Sequence, residues 1–208
     1  RPLTPDEVKA IHAGMDRYAV LVFHDQQIDD EQQLAFTRSL GEIELAVGTS
    51  LRAENEYRLP TTFADVSNLD QNHQVFARDD RRRLFAIGNR LWHSDSSYKT
   101  IPARYSLLCA HVIPPEGGDT EFADMRAAWD TLEPRLQEKV KGLVTEHSRI
   151  FSKGSLGFTF TEQELRDFHG CGFGFRSRWP PRPGNPVNAS VCIDSSVRPA
   201  EFLTRVGK

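Results

Sequence analysis

Cysteine is scarce and poorly placed for metal or disulfide chemistry. Cys109, Cys171 and Cys192 stand far apart with no CxxC pair, which argues against a zinc ribbon and against a disulfide framework. A basic excess is missing too: the net charge is −3 and the pI about 6.2, so no positive field is available to recruit nucleic acid or an anionic membrane. No apolar run approaches the length of a membrane span, no signal-peptide pattern opens the chain, and no internal repeat is visible. A cytoplasmic protein that binds neither nucleic acid nor membrane is the expectation. The first residue is Arg1 rather than methionine, so a start further upstream is also expected.

What is present fits one globular domain. With 208 residues, 38% hydrophobic and 26% charged, the chain can bury roughly 70% of its unfolded surface without disulfides or structural zinc. Thr4-Pro5-Asp6-Glu7 has the form of a capping box, followed by Val8, Ile11, His12 and Met15 at helical spacing. Tyr18 to Phe23 is an apolar run of strand length. Asp29 opens a second helix through Leu34, Phe36 and Leu40, and Gly41 closes it. From Glu44 to Arg90 the pattern loosens into either a working loop or a plain surface segment, with a short strand at Thr62 to Val66 and a solvated charge run at Ala77 to Arg83. Arg104 to Ile113 reads as a strand, Gly117-Gly118 as a turn, and Thr120 to Ala123 as another strand. Asp124 and Pro134 each begin a helix. From Gly170 onward the chain is a proline-, glycine- and arginine-rich mixture without a strand or helix period.

The chemistry centres on "RLWHSDSSY", Arg90 to Tyr98. On an extended segment His93 and Asp95 point to one side, because strand side chains alternate. An imidazole and a carboxylate are two of the three donors in the two-histidine, one-carboxylate facial triad of non-haem iron(II). Taken alone, such a tripeptide is a weak signal, since most are hydrogen-bonded turn residues.

The surrounding block is more specific. "NRLWHSDSSYKTIPARYSLLCAHVIPPEGGDTEFADMRAAWDTL" resembles the core of the TauD/TfdA family of iron(II)- and 2-oxoglutarate-dependent dioxygenases, closest to the phenoxyalkanoate-herbicide branch. "VLVFHDQQIDDEQQLAFTRSLGEIE" and "DVSNLD" resemble the same family, and the likeness runs from about Pro2 to about Glu164. The resemblance implies a mainly β fold with flanking helices, a double-stranded β-helix or jelly-roll. It implies Fe(II) as metal, 2-oxoglutarate as cosubstrate, dioxygen and a small carboxylate as partners, and assembly into homo-oligomers. It makes His93 and Asp95 iron ligands, Thr120 the hydroxyl that binds a 2-oxoglutarate carboxylate, and Asn89 a residue near the substrate; a turn asparagine and a strand threonine are the plain alternatives. Trp92 reads as packing behind the metal segment.

The family also carries a distal histidine as third ligand and a later arginine that pairs with the far carboxylate of 2-oxoglutarate, and nothing in Gly170 to Lys208 resembles that region. His12, His24, His73, His111, His147 and His169 are poor substitutes by position. We therefore expect a partial dioxygenase domain over 1–168 and an atypical tail over 169–208, from a shifted reading frame or a partial gene product, which would leave the jelly-roll incomplete. Set beside an aryloxyalkanoate dioxygenase are three other readings: a taurine or sulfonate dioxygenase, an inactive remnant of the family, and a hydrolytic zinc enzyme.

Overall fold

The computed structural model describes residues 1–45, 57–97, 99, 102–113, 115, 120–170, 175–178 and 189–194. In chain order the elements are α1 (Pro5–Tyr18), β1 (Val20–His24), α2 (Asp30–Leu40), α3 (Arg81–Ala86), a 3-10 turn (Ile87–Arg90), β2 (Tyr105–Cys109), α4 (Met125–Asp130), α5 (Pro134–Val140), β3 (Val144–His147), α6 (Arg149–Gly154), α7 (Glu162–Gly170), β4 (Phe175–Arg178) and β5 (Ala189–Asp194). They divide between two compact units: Arg1–Glu42 with Ala103–Val144 and Arg178–Lys208, and Ile43–Pro102 with Thr145–Ser177.

In the first unit both early helices begin as their sequences dictate. The Thr4 hydroxyl accepts from the Glu7 amide while the Glu7 carboxylate accepts from the Thr4 amide at 2.8 Å, so two otherwise orphaned donors are satisfied reciprocally. Asp29 and Gln32 repeat the device at α2. The apolar stripe of α1 buries Ile11 and Met15, and around them pack Leu3, Leu21, Phe23, Ile28, Phe36, Leu40, Tyr105, Leu107 and Cys109. Met15, 1% exposed, is the most buried side chain of the described residues and stabilises the unit by about 2 kcal/mol through area removed from water. Three strands lie in the order β1-β5-β2, with β5 parallel to both neighbours; Val22 faces Cys192, and Leu108 faces the same residue from the other side.

That central strand lies in the stretch expected to be irregular. No proline falls within "ASVCID", Ala189 to Asp194, so its backbone donors are intact and it accepts pairing on both edges. Two other expectations need correcting. Thr120 to Ala123 is not in a strand, and neither is Thr62 to Val66; both are β-prone in composition, but propensity alone does not make a strand. The turn at Gly117-Gly118 falls outside the described residues.

In the second unit the charge run is exposed at Ala77 to Asp79, and its last three residues, Arg81 to Arg83, open α3. Asp80 caps α3 by accepting from the Arg82 amide at 2.8 Å and also holds the Arg82 guanidinium, so its carboxyl is pushed below the ordinary range, chiefly by the Arg82 hydrogen bond. Arg81 grips Glu164 through both carboxylate oxygens at 2.8 and 2.9 Å and lies over the Phe158 ring. Phe158 is buried, with Phe85 and Phe160 edge-on to it at 5.4 and 5.0 Å, an arrangement favoured by the ring quadrupoles. The Arg58 fork holds Asp65 at 2.8 and 3.0 Å, and β3 and β4 form a two-stranded sheet. No helix among the described residues is long and apolar enough to cross a membrane.

Candidate metal centre

The 3-10 turn after α3 aims the chain at the His-x-Asp segment. The Leu91 amide bonds the Gly88 carbonyl at 3.2 Å, Leu91 turns extended at φ −90° and ψ 146°, and Asp95 to Ser97 then form a turn. The anticipated strand is thus an extended stretch running into a turn, yet the two side chains still converge. His93 Nε2 stands 3.2 Å from Asp95 Oδ1, with both side chains about half exposed.

The other ring nitrogen decides the tautomer. His93 Nδ1 is 2.6 Å from the Leu91 carbonyl, which can only accept, so Nδ1 carries a proton; in the protonated ring Nε2–H donates to Asp95, and in the neutral ring Nε2 is the nitrogen left to bind a metal. Asp95 raises the His93 pKa above its ordinary value, chiefly through the hydrogen bond; burial opposes it, the Leu91 carbonyl assists, and the Lys153 ammonium weakly opposes. A proton is therefore the ready occupant of the space between the two donors, and a divalent cation is its natural competitor. Two donors each about 2.1 Å from one metal and at right angles lie about 3.0 Å apart. The observed 3.2 Å is the separation of an imidazole–carboxylate hydrogen bond and lies close to that edge, so the pair can close around either a proton or a divalent ion.

Residues absent from the sequence expectation hold the turn in place. Ser96, at φ 55°, occupies the left-handed region that non-glycine residues seldom adopt. Its hydroxyl donates to Glu44 Oε1 at 2.8 Å, and Lys99 Nζ reaches the same oxygen at 2.6 Å. No local signal marks Glu44 as the anchor of a turn 52 residues later.

The remaining predicted residues are placed as follows. Asn89 lies exposed on the 3-10 turn, four residues before His93. Thr120 belongs to the first unit, exposed in a segment without regular structure. Trp92, expected to pack, is instead 69% exposed. His12 Nδ1 lies 2.8 Å from the Tyr105 hydroxyl, His24 ends β1 and His147 ends β3, His73 sits in a turn at φ 60°, and His111 lies exposed beyond the end of β2. His169 falls in α7, its side chain outside the described residues. Among the described residues no three His, Cys, Asp or Glu side chains gather to hold a metal ion.

Comparison with known proteins gives this geometry a context. The model of the taurine catabolism dioxygenase TauD, TfdA family matches residues 1–191. An alpha-ketoglutarate-dependent 2,4-dichlorophenoxyacetate dioxygenase of Burkholderia sp. (strain RASC) is 40% identical over 165 residues, covering 79% of this chain and 55% of the relative. A protein of the same description from Cupriavidus pinatubonensis is 42% identical over 161 residues, covering 77% of this chain and 56% of that one. The crystal structure of AAD-2 in complex with Mn(II) and N-oxalylglycine superposes with a TM-score of 0.80 at 49% identity, over 86% of this chain and 61% of that chain. The chain thus spans about half the length of the curated relatives it matches.

Proposed function

The chain belongs to the taurine catabolism dioxygenase TauD, TfdA family, and from that premise we propose that it acts as an iron(II)- and 2-oxoglutarate-dependent dioxygenase on a small phenoxyalkanoate-like carboxylate. The products are succinate and carbon dioxide from the cosubstrate, and a phenol plus an oxo-acid from the substrate. The observation that carries the proposal is the 3.2 Å approach of His93 Nε2 to Asp95 Oδ1, which brings an imidazole and a carboxylate within reach of one divalent ion. The 2,4-dichlorophenoxyacetate dioxygenases support the substrate class, and the Mn(II) and N-oxalylglycine bound to AAD-2 support the metal and the oxo-acid.

In this proposal His93 and Asp95 hold the iron, which when bound supplies the oxidising chemistry with dioxygen and 2-oxoglutarate. The protein's own work is placement. The Leu91 carbonyl fixes the His93 ring so that Nε2 faces the metal. Asp95 supplies the negative charge, on a turn held by Ser96, Lys99 and Glu44. The Thr120 hydroxyl donates to a 2-oxoglutarate carboxylate, and Asn89 faces the substrate. A double-stranded β-helix, a cytoplasmic setting and homo-oligomeric assembly complete the proposal, with small molecules rather than nucleic acid or membrane as partners.

The test is succinate release by the full chain with Fe(II) and 2-oxoglutarate. Release that needs both oxygen and 2,4-dichlorophenoxyacetate, matched by dichlorophenol, is expected. Taurine giving the higher rate would overturn the substrate class, and release that ignores both substrates would overturn the reaction.

A further inference from the structure

Lysine is among the residues least often buried, yet Lys153 on α6 is only 9% exposed. Its Nζ donates to the Phe85 carbonyl at 2.8 Å and lies 4.6 Å from the centre of the Phe85 ring. The end of its side chain occupies the space over Gly88: a Cβ built there would meet Nζ at 2.1 Å and Cε at 3.0 Å. Gly88 is where the 3-10 turn makes its closing bond, since its carbonyl accepts from the Leu91 amide. The Leu91 carbonyl in turn takes the His93 Nδ1 proton. A continuous set of contacts therefore leads from Lys153 through Gly88 and Leu91 to the imidazole, all within the second unit.

We propose that Lys153 is a positioning residue for the metal centre: it pins the Ile87–Arg90 turn and so sets the Leu91 carbonyl that orients His93. Gly88 is the complementary half of the device, because any side chain there displaces the ammonium. Its backbone does not demand glycine, as no left-handed φ occurs at this position. The contact is a property of the fold; its consequence for the metal rests on the ligand roles proposed for His93 and Asp95.

The experiment uses the full chain with Lys153→Met, which keeps length but loses charge and donor, Lys153→Arg, which keeps both, and Gly88→Ala. Amide hydrogen exchange over 87–93 and Mn(II) affinity by electron paramagnetic resonance are measured, with the melting temperature followed in parallel. Lys153→Met and Gly88→Ala should each speed exchange over 87–93 several-fold and weaken Mn(II) binding by about 10-fold, at a melting temperature near that of the parent. The double variant should be no worse than either single one, since both remove one contact, and Lys153→Arg should recover part of the affinity. Unchanged exchange in Lys153→Met overturns the proposal, as does full additivity in the double variant. If Lys153→Met unfolds the second unit, Gly88→Ala, which removes no charge, decides in the same way. A parent chain that binds no Mn(II) defeats the ligand roles of His93 and Asp95, while the exchange comparison still decides whether Lys153 pins the turn.

Discussion

Replacing Glu44 with alanine removes the anchor of the Asp95–Ser97 turn without touching either proposed ligand. Two contacts disappear, the Ser96 hydroxyl bond at 2.8 Å and the Lys99 ion pair at 2.6 Å. Hydrogen bonds to charged groups contribute about 1.5–3 kcal/mol and exposed ion pairs about 0–1. The Glu44 and Lys99 side chains are 35% and 26% exposed, so the lower ends apply and about 1.5 kcal/mol in total is at stake. The left-handed Ser96 backbone, at φ 55°, costs roughly 1 kcal/mol in the other direction, so the untethered turn is driven to relax and carry Asp95 away from His93. If all of the lost energy held the ligands together, Mn(II) affinity would fall by roughly 10-fold. A Mn(II) titration of Glu44→Ala should show a loss approaching that limit. Ser96→Gly in the same background should restore part of it, because glycine tolerates the turn at little cost. Affinity equal to the parent in Glu44→Ala would refute the idea that this tether shapes the site.

Further outcomes follow from the same contacts. Met15→Ala should cost about 2–5 kcal/mol in urea unfolding, the range for deleting a large core side chain, because Met15 is 1% exposed and central to the first unit. Glu7 is held at about 2, from an ordinary 4.5, chiefly by its hydrogen bond to Arg1 and by those from Thr4. A depressed carboxyl contributes stability that is present above 4.5 and lost as the pH falls toward 2. Glu7→Gln should therefore lower the unfolding midpoint at pH 6 and approach the parent near pH 2; a constant difference across that window would contradict the cap's ionic contribution. Thr120→Val should raise the 2-oxoglutarate KM about 10-fold, the loss of one hydrogen bond to a charged group, and leave Mn(II) affinity alone; a KM within error of the parent would remove Thr120 from the cosubstrate site.

Local structure was readable where its causes are local. Thr4 with Glu7 and Asp29 with Gln32 lie within one helical turn of each other, so the starts of α1 and α2 follow from adjacent residues. The His93–Asp95 pair is legible for the same reason, since two residues alone bring both side chains to one side. The features that escaped all depend on partners distant in sequence. Glu44 acts on Ser96, Lys153 acts on Phe85 68 residues earlier, and Ala189–Asp194 acquires its central place only from β1 and β2. Thr120 to Ala123 failed in the opposite sense: its composition suits a strand, yet the segment is irregular, because propensity alone does not make a strand.

Pulsed electron paramagnetic resonance of Mn(II) bound to the full chain tests most directly whether one ion lies between these two side chains. An imidazole nitrogen coupled to the manganese is expected, lost in His93→Gln and accompanied by much weaker binding in Asp95→Ala. A nitrogen coupling that persists in His93→Gln, or binding indifferent to Asp95→Ala, would contradict a shared ion at this pair.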